Sequence, residues 1–150
     1  MYPLSRHKFA QMAAQTALAA HSQGKFQEMH DLLFDSYTQM KTLAVAKAGE
    51  LGLAAGEAES PRVQAALFAD LARQLGLDME RFQADFSSQA TLQQITRHTQ
   101  EVRSTGNPGT PATYINGRFL GGAKPYEDFQ KLVDQALQDA GSKVAADSAP

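Results

Sequence analysis

Gly106-Asn107-Pro108-Gly109-Thr110-Pro111-Ala112-Thr113-Tyr114-Ile115-Asn116-Gly117 is the stretch that decides how the last third of this chain folds. Its first half is crowded with Gly and Pro, which mark a loop. Thr113-Tyr114-Ile115 then gathers β-branched and aromatic side chains that suit a pleated, half-buried surface. Asn116-Gly117 is the strongest short hairpin signal, because a type I′ turn needs positive φ at both central positions. Arg118-Phe119-Leu120 reads as the return strand, and Gly121-Gly122 ends it. A β-hairpin is therefore expected over about 112–121.

Upstream of this stretch the apolar period is helical throughout. Ser5 is expected to cap a helix carrying Phe9, Met12, Ala13, Thr16, Ala17 and Ala20, spaced by threes and fours. Gly24 punctuates it. Phe26, Met29, Leu33 and Phe34 cluster on a second helix, and a third covers roughly Thr42 to Leu51. Ser60-Pro61 combines an N-cap with proline at the first helical position. Val63, Leu67, Leu71 and Leu75 follow as a stripe that Gly76 stops. Asp78 starts a short helix with Phe82 and Phe86. The next helix places Leu92, Ile95, Thr99 and Val102 on one face. Downstream of the hairpin, a last helix runs from about Tyr126 to Ala140. Phe129, Leu132, Val133, Ala136 and Leu137 are expected to face inward. The small, polar residues 141–150 read as a flexible tail.

Bulk properties narrow the function classes. The 150 residues make one ordinary domain by length, and 43% hydrophobic content supports a real core. The net charge of −2 and pI of about 6.1 come without any basic run, so no nucleic-acid footprint is visible. No apolar stretch reaches the roughly 20 residues of a membrane span. The first residues are not a secretory signal. The chain has no cysteine, which removes disulfides and cysteine-based metal sites.

Five pieces in order resemble the DsbA-like branch of the thioredoxin-fold oxidoreductases. They are Tyr2-Pro3-Leu4-Ser5-Arg6-His7, Gly24-Lys25-Phe26…Met29-His30-Asp31…Phe34, Leu75-Gly76-Leu77-Asp78, Gly109-Thr110-Pro111 with the Asn116-Gly117 hairpin, and Gly121-Gly122-Ala123 with the helix from Tyr126 to Leu137. The resemblance implies an α+β, mostly helical, incomplete thioredoxin-like fold. Residues 1–140 would be the domain, with a helical insertion over about 5–105 and the hairpin and final helix over about 110–140. In that family two strands, a helix and a Cys-x-x-Cys pair precede the position of Tyr2. None of these is among the 150 residues, so the expectation is a C-terminal portion of such an enzyme. The family is commonly exported; nothing in these residues speaks to location.

The missing pair decides the chemistry. Thiol-disulfide exchange needs a thiolate to attack a disulfide sulfur, and no Ser, Thr or Met replaces it. The expectation is an oxidoreductase family member that is inactive by itself and needs no cofactor. The resemblance further implies a cis bond at Thr110-Pro111; Pro108 has no such support and is expected to be trans. It also assigns Gly109, Thr110 and Pro111 to binding an extended peptide as an added strand. The alternative is a non-catalytic, dimerising peptide-binding module derived from the same fold. A lone hairpin needs a partner, so a homodimer through its exposed edge is expected.

Other candidates carry less. His7, His21, His30 and His98 lack metal-ligand spacing. Glu28, Asp31 and Asp35 read as solvated charges. Ser5, Ser22 and Ser36 lack a nucleophile's glycine setting. Met12, Met29 and Met40 read as core filler. Gly121-Gly122 lacks the pattern of a phosphate loop.

Overall fold

The computed structural model describes residues 1–106 and 109–147. Its elements are α1 Ala10–His21, α2 Phe26–Asp35, α3 Met40–Glu50, α4 Pro61–Gln74, α5 Met79–Phe86, α6 Gln89–Ser104, β1 Ala112–Ile115, β2 Arg118–Gly121 and α7 Tyr126–Asp147. Short 3-10 turns at Tyr37–Gln39 and Ala55–Glu57 flank α3. The mostly helical architecture with one small antiparallel sheet is the expected one. The chain divides into a helical unit, Met1–Glu101, and a second unit from Val102.

In the helical unit α1 is buried all round. Seven consecutive residues from Ala14 to Ala20 are shielded from solvent, where the sequence pattern suggests a single inward face. Two of them are polar, and each has a main-chain partner. Gln15 Nε2 donates to the Phe86 carbonyl at 2.9 Å, and Thr16 Oγ1 donates to the Met12 carbonyl at 2.8 Å. α1 packs on α2, α4 and α5, while α3 packs on α4. Alanine dominates these contacts: Ala17, Ala19, Ala20, Ala44, Ala48 and Ala72 are all buried. Around them Met29, Val63, Phe68 and Phe82 are the largest fully buried side chains.

Helix starts follow local hydrogen bonding. Ser60 Oγ accepts from Val63 N at 3.4 Å, and Pro61 opens α4. Asp78 accepts from both Glu80 N and Arg81 N, at 3.0 and 3.1 Å. Ser88, which sequence reading passed over, accepts from Thr91 N at 3.1 Å and so caps α6. Ser5 caps nothing. α1 begins at Ala10 with no side-chain cap, and the preceding turns close on main-chain carbonyls instead. His7 N bonds the Leu4 carbonyl at 2.9 Å and Ala10 N the His7 carbonyl at 3.0 Å.

α6 is rotated from the expected face. Thr91 and Ile95 are buried and Leu92 is 41% exposed. Thr91 Oγ1 donates to the Asp85 carbonyl at 2.7 Å, which turns position 91 inward at the helix start.

In the second unit β1 and β2 pair antiparallel with Tyr114 opposite Phe119 and Ile115 opposite Arg118. Asn116 and Gly117 turn the chain with φ of 47° and 80°, the left-handed pair a type I′ turn requires. Thr113, Ile115 and Leu120 are half-buried. α7 packs on β1, and Arg118 Nη2 bonds Asp139 Oδ2 at 2.8 Å. α7 continues to Asp147, beyond Gly141, where the sequence suggested a flexible tail. Its inner face is narrower than expected. Ala136 is buried and Phe129 and Leu132 are half-buried, but Val133 and Leu137 are exposed. A two-stranded sheet is too narrow to cover a wider arc of the helix.

Candidate functional site

Gly109, Thr110 and Pro111 lead directly into β1, and all three are exposed. The Thr110-Pro111 peptide bond is cis. Pro111 is tied to the far end of the hairpin, because Gly122 N donates to its carbonyl at 2.9 Å. That bond extends the strand ladder by one step and fixes where the loop enters the sheet. Asn107 and Pro108, whose bond was expected to be trans, lie outside the described residues.

The face of the hairpin away from α7 carries an aromatic pair that sequence reading did not single out. The rings of Tyr114 and Phe119 lie 5.2 Å apart, tilted by 46°, a separation typical of favourable aromatic pairs. Each side chain is a little under half exposed. The Phe119 ring also folds over Gly121. A Cβ placed on that glycine would sit 2.7 Å from Phe119 Cζ. The signal for this arrangement was present in the sequence: aromatic residues at directly opposed hairpin positions, with glycine two places after one of them. The resulting surface is an exposed loop, a strand and a small aromatic platform. Chemically it offers main-chain hydrogen bonding and apolar contact. Among its described residues it carries no acid–base pair.

The remaining candidates are not brought together. His30 Nδ1 bonds Asp31 Oδ1 at 2.9 Å on the surface of α2, between the rings of Phe26 and Phe34. The His30 imidazole beside it holds the Asp31 carboxyl below the usual carboxylate range. Glu28 is lowered in the same way by Lys25, 2.8 Å away. His98 receives the Met1 amine at 3.0 Å, and burial holds its imidazole below the ordinary value. His7 lies against Arg6, and the His21 ring meets Phe26 edge-on. Ser22 Oγ bonds the Asp85 carboxylate and the Ala19 carbonyl. Met29 and Met40 are buried in the helical core, and Met12 lies partly buried against it. Among the described residues no group of three or more His, Asp or Glu side chains is placed to hold a metal ion. No helix among them is long and apolar enough to cross a membrane.

Comparison with known proteins bears on the whole chain. A family model described as a DSBA-like thioredoxin domain matches residues 3–134. A protein of Salinispora arenicola named Na(+)/H(+) antiporter NhaA 1 is 30% identical over 138 residues, covering 92% of this chain and 17% of that protein. The Na(+)/H(+) antiporter NhaA 3 of Salinispora tropica is 28% identical over 134 residues, covering 89% and 17%. A third relative, from Herminiimonas arsenicoxydans and named Na(+)/H(+) antiporter NhaA, is 28% identical over 120 residues. The chain spans about a sixth of the length of the curated relatives it matches. No solved structure matches it.

Proposed function

We propose that this chain, which belongs to the DSBA-like thioredoxin domain family, is the substrate-facing portion of a thiol-disulfide oxidoreductase and performs no thiol chemistry itself. The observation that carries the reading is the family match over residues 3–134 in a sequence without cysteine. Exchange begins when a thiolate attacks a disulfide sulfur, forming a mixed disulfide and expelling the second sulfur as a thiolate. None of the 150 residues carries a thiol. The electrons and the nucleophile therefore have to come from a cysteine pair outside these residues. The part left to this chain is recognition. Gly109, Thr110 and Pro111 offer an exposed main chain that an extended peptide joins as an added strand. Their exposure and their position at the start of β1 support that role. The match to about a sixth of each curated relative supports a unit that is carried within longer polypeptides.

A second reading follows from the cysteine-free sequence alone: a peptide-binding module that has no redox partner. One measurement tests the premise the readings share, and a second separates them. The purified 150-residue chain, mixed with a fluorogenic peptide disulfide and glutathione, is expected to add nothing to the buffer rate. Measurable turnover would refute the claim that it does no thiol chemistry. The natural gene product is expected to exceed the 16.2 kDa of this chain and to alkylate at two thiols. A natural product of that mass with no reactive thiol would sink the oxidoreductase reading and leave the module.

A further inference from the structure

We propose that the Asn116-Gly117 turn is a site of spontaneous covalent modification, where the chain closes on itself, releases ammonia and rehydrates to isoaspartate and aspartate. The chain has two asparagines. Asn107 is followed by Pro108, whose nitrogen carries no proton and cannot attack a side chain. Asn116 is followed by Gly117, which has no side chain to hinder the approach. The sequence leaves a single position for this chemistry. The fold puts it between β1 and β2, with both residues exposed to water.

The reaction is internal. Gly117 N gives its proton to base in the solvent and attacks Asn116 Cγ. The N–Cγ bond forms and the Cγ–Nδ2 bond breaks, and the amide takes up a proton from water and leaves as ammonia. The product is a succinimide ring, which water then opens. Cleavage of the N–Cγ bond leaves aspartate on an unaltered main chain. Cleavage between Gly117 N and the Asn116 main-chain carbonyl carbon leaves isoaspartate, whose main chain runs through Cβ and Cγ.

The turn geometry lets the folded chain do this. Ring closure needs Cβ and the Gly117 nitrogen nearly eclipsed about the Asn116 Cα–C bond. For an L residue that sets ψ near −120°, about the value at the first central position of a type II′ turn. The φ of Asn116 is already positive, at 47°, as both type I′ and type II′ require at that position. Only the peptide plane between Asn116 and Gly117 has to turn over, and glycine accepts the opposite sign of φ that results. Both turn types are favoured two-residue hairpin connections, so the pairing of Ile115 with Arg118 survives the change. Isoaspartate is different. It adds a carbon to the main chain inside a turn whose length fixes the register. The disturbance runs along the ladder to the Tyr114–Phe119 pair and to the Gly122–Pro111 bond.

The test uses the whole 150-residue chain, held in neutral and in mildly alkaline buffer. It is then digested and mapped by mass spectrometry with fragmentation that separates isoaspartate from aspartate. Conversion is expected at Asn116 and not at Asn107, and faster in the alkaline buffer. Its rate is expected to lie within about tenfold of that of an isolated 112–121 peptide, because the fold adds little to the barrier. Asn116→Gln has to close a larger ring and should stay intact over the same period. In hydrogen exchange the isoaspartate form should lose protection of the β1 and β2 amides, whereas Asn116→Asp keeps it. A folded chain that converts more slowly than that range, or one that converts equally at Asn107, overturns the inference. So does an isoaspartate form whose hairpin protection is unchanged.

Discussion

Removal of the Gln23 side chain is expected to loosen the helical unit at one defined seam. Gln23 sits in the turn between α1 and α2 and grips the main chain of Asp78 from both sides. Its Nε2 donates to the Asp78 carbonyl at 3.1 Å, and its Oε1 accepts from Asp78 N at 2.9 Å. The same seam holds Arg81 Nη2 on the Ser22 carbonyl at 3.4 Å and the Ser22–Asp85 contact. An intramolecular hydrogen bond contributes about 0.5–1.5 kcal/mol net, and solvent-accessible ones fall in the lower half of that range. Gln23→Ala therefore costs about 1–2 kcal/mol, by removal of two such bonds. Gln23→Glu keeps the acceptor and loses the donor, and it adds a carboxylate beside Asp78 and Asp85. Its cost is expected to match or exceed that of alanine even though one bond survives. The assay is urea unfolding followed by circular dichroism, with a shifted midpoint and an unchanged slope. A loss below about 0.5 kcal/mol for Gln23→Ala, the range of a featureless surface change, would refute the clamp.

Three further outcomes follow from local geometry. Asp78→Ala removes an acceptor for two main-chain donors and should cost more than Ser60→Ala, whose single bond is 3.4 Å long; a typical cap is worth about 1 kcal/mol, and the order is read by urea titration. Gly117→Ala places a Cβ at φ 80° and should cost about 1–2 kcal/mol, seen as lost hairpin amide protection in hydrogen exchange. Lys47 lies between Asp70 and Glu50, which raise its ammonium above the ordinary value of 10.5. Its folded-state pKa thus exceeds the unfolded one, so its contribution is fully present below pH 10.5 and is lost as pH rises through the raised value. The stability gap between the parent and Lys47→Gln should stay constant from neutral pH to that point and close above it.

Much of this architecture was legible because local rules decide it. Asn116-Gly117 fixed the hairpin and its register, since few residue pairs accept positive φ twice. Ser60-Pro61 and Asp78 marked helix starts because their side chains bond donors two or three residues away. The misses lie where distant contacts decide. Ser5 looked like a cap, but main-chain carbonyls close the turns before α1. Leu92 fitted the apolar period of α6, yet the bond from Thr91 to the Asp85 carbonyl turned it outward. Leu137 fitted the period of α7, but the width of the sheet limits how much of that helix is covered. The loop at Gly109, Thr110 and Pro111 was found as a sequence motif. The Tyr114–Phe119 platform beside it depends on cross-strand register and emerged only with the fold.

The alanine-lined seams of the helical unit carry a consequence for how this protein tolerates change. Alanine has no rotamer freedom to lose, so these contacts form with little side-chain entropy cost. Loss of volume at Ala19, Ala20, Ala44, Ala48 or Ala72 is barely available, because only glycine is smaller. The vulnerable direction is growth: one added methyl group has no slack to occupy and must push two helices apart. The interior is thus governed by an upper limit on size, and drift in its sequence is confined to the few large residues that surround the seams.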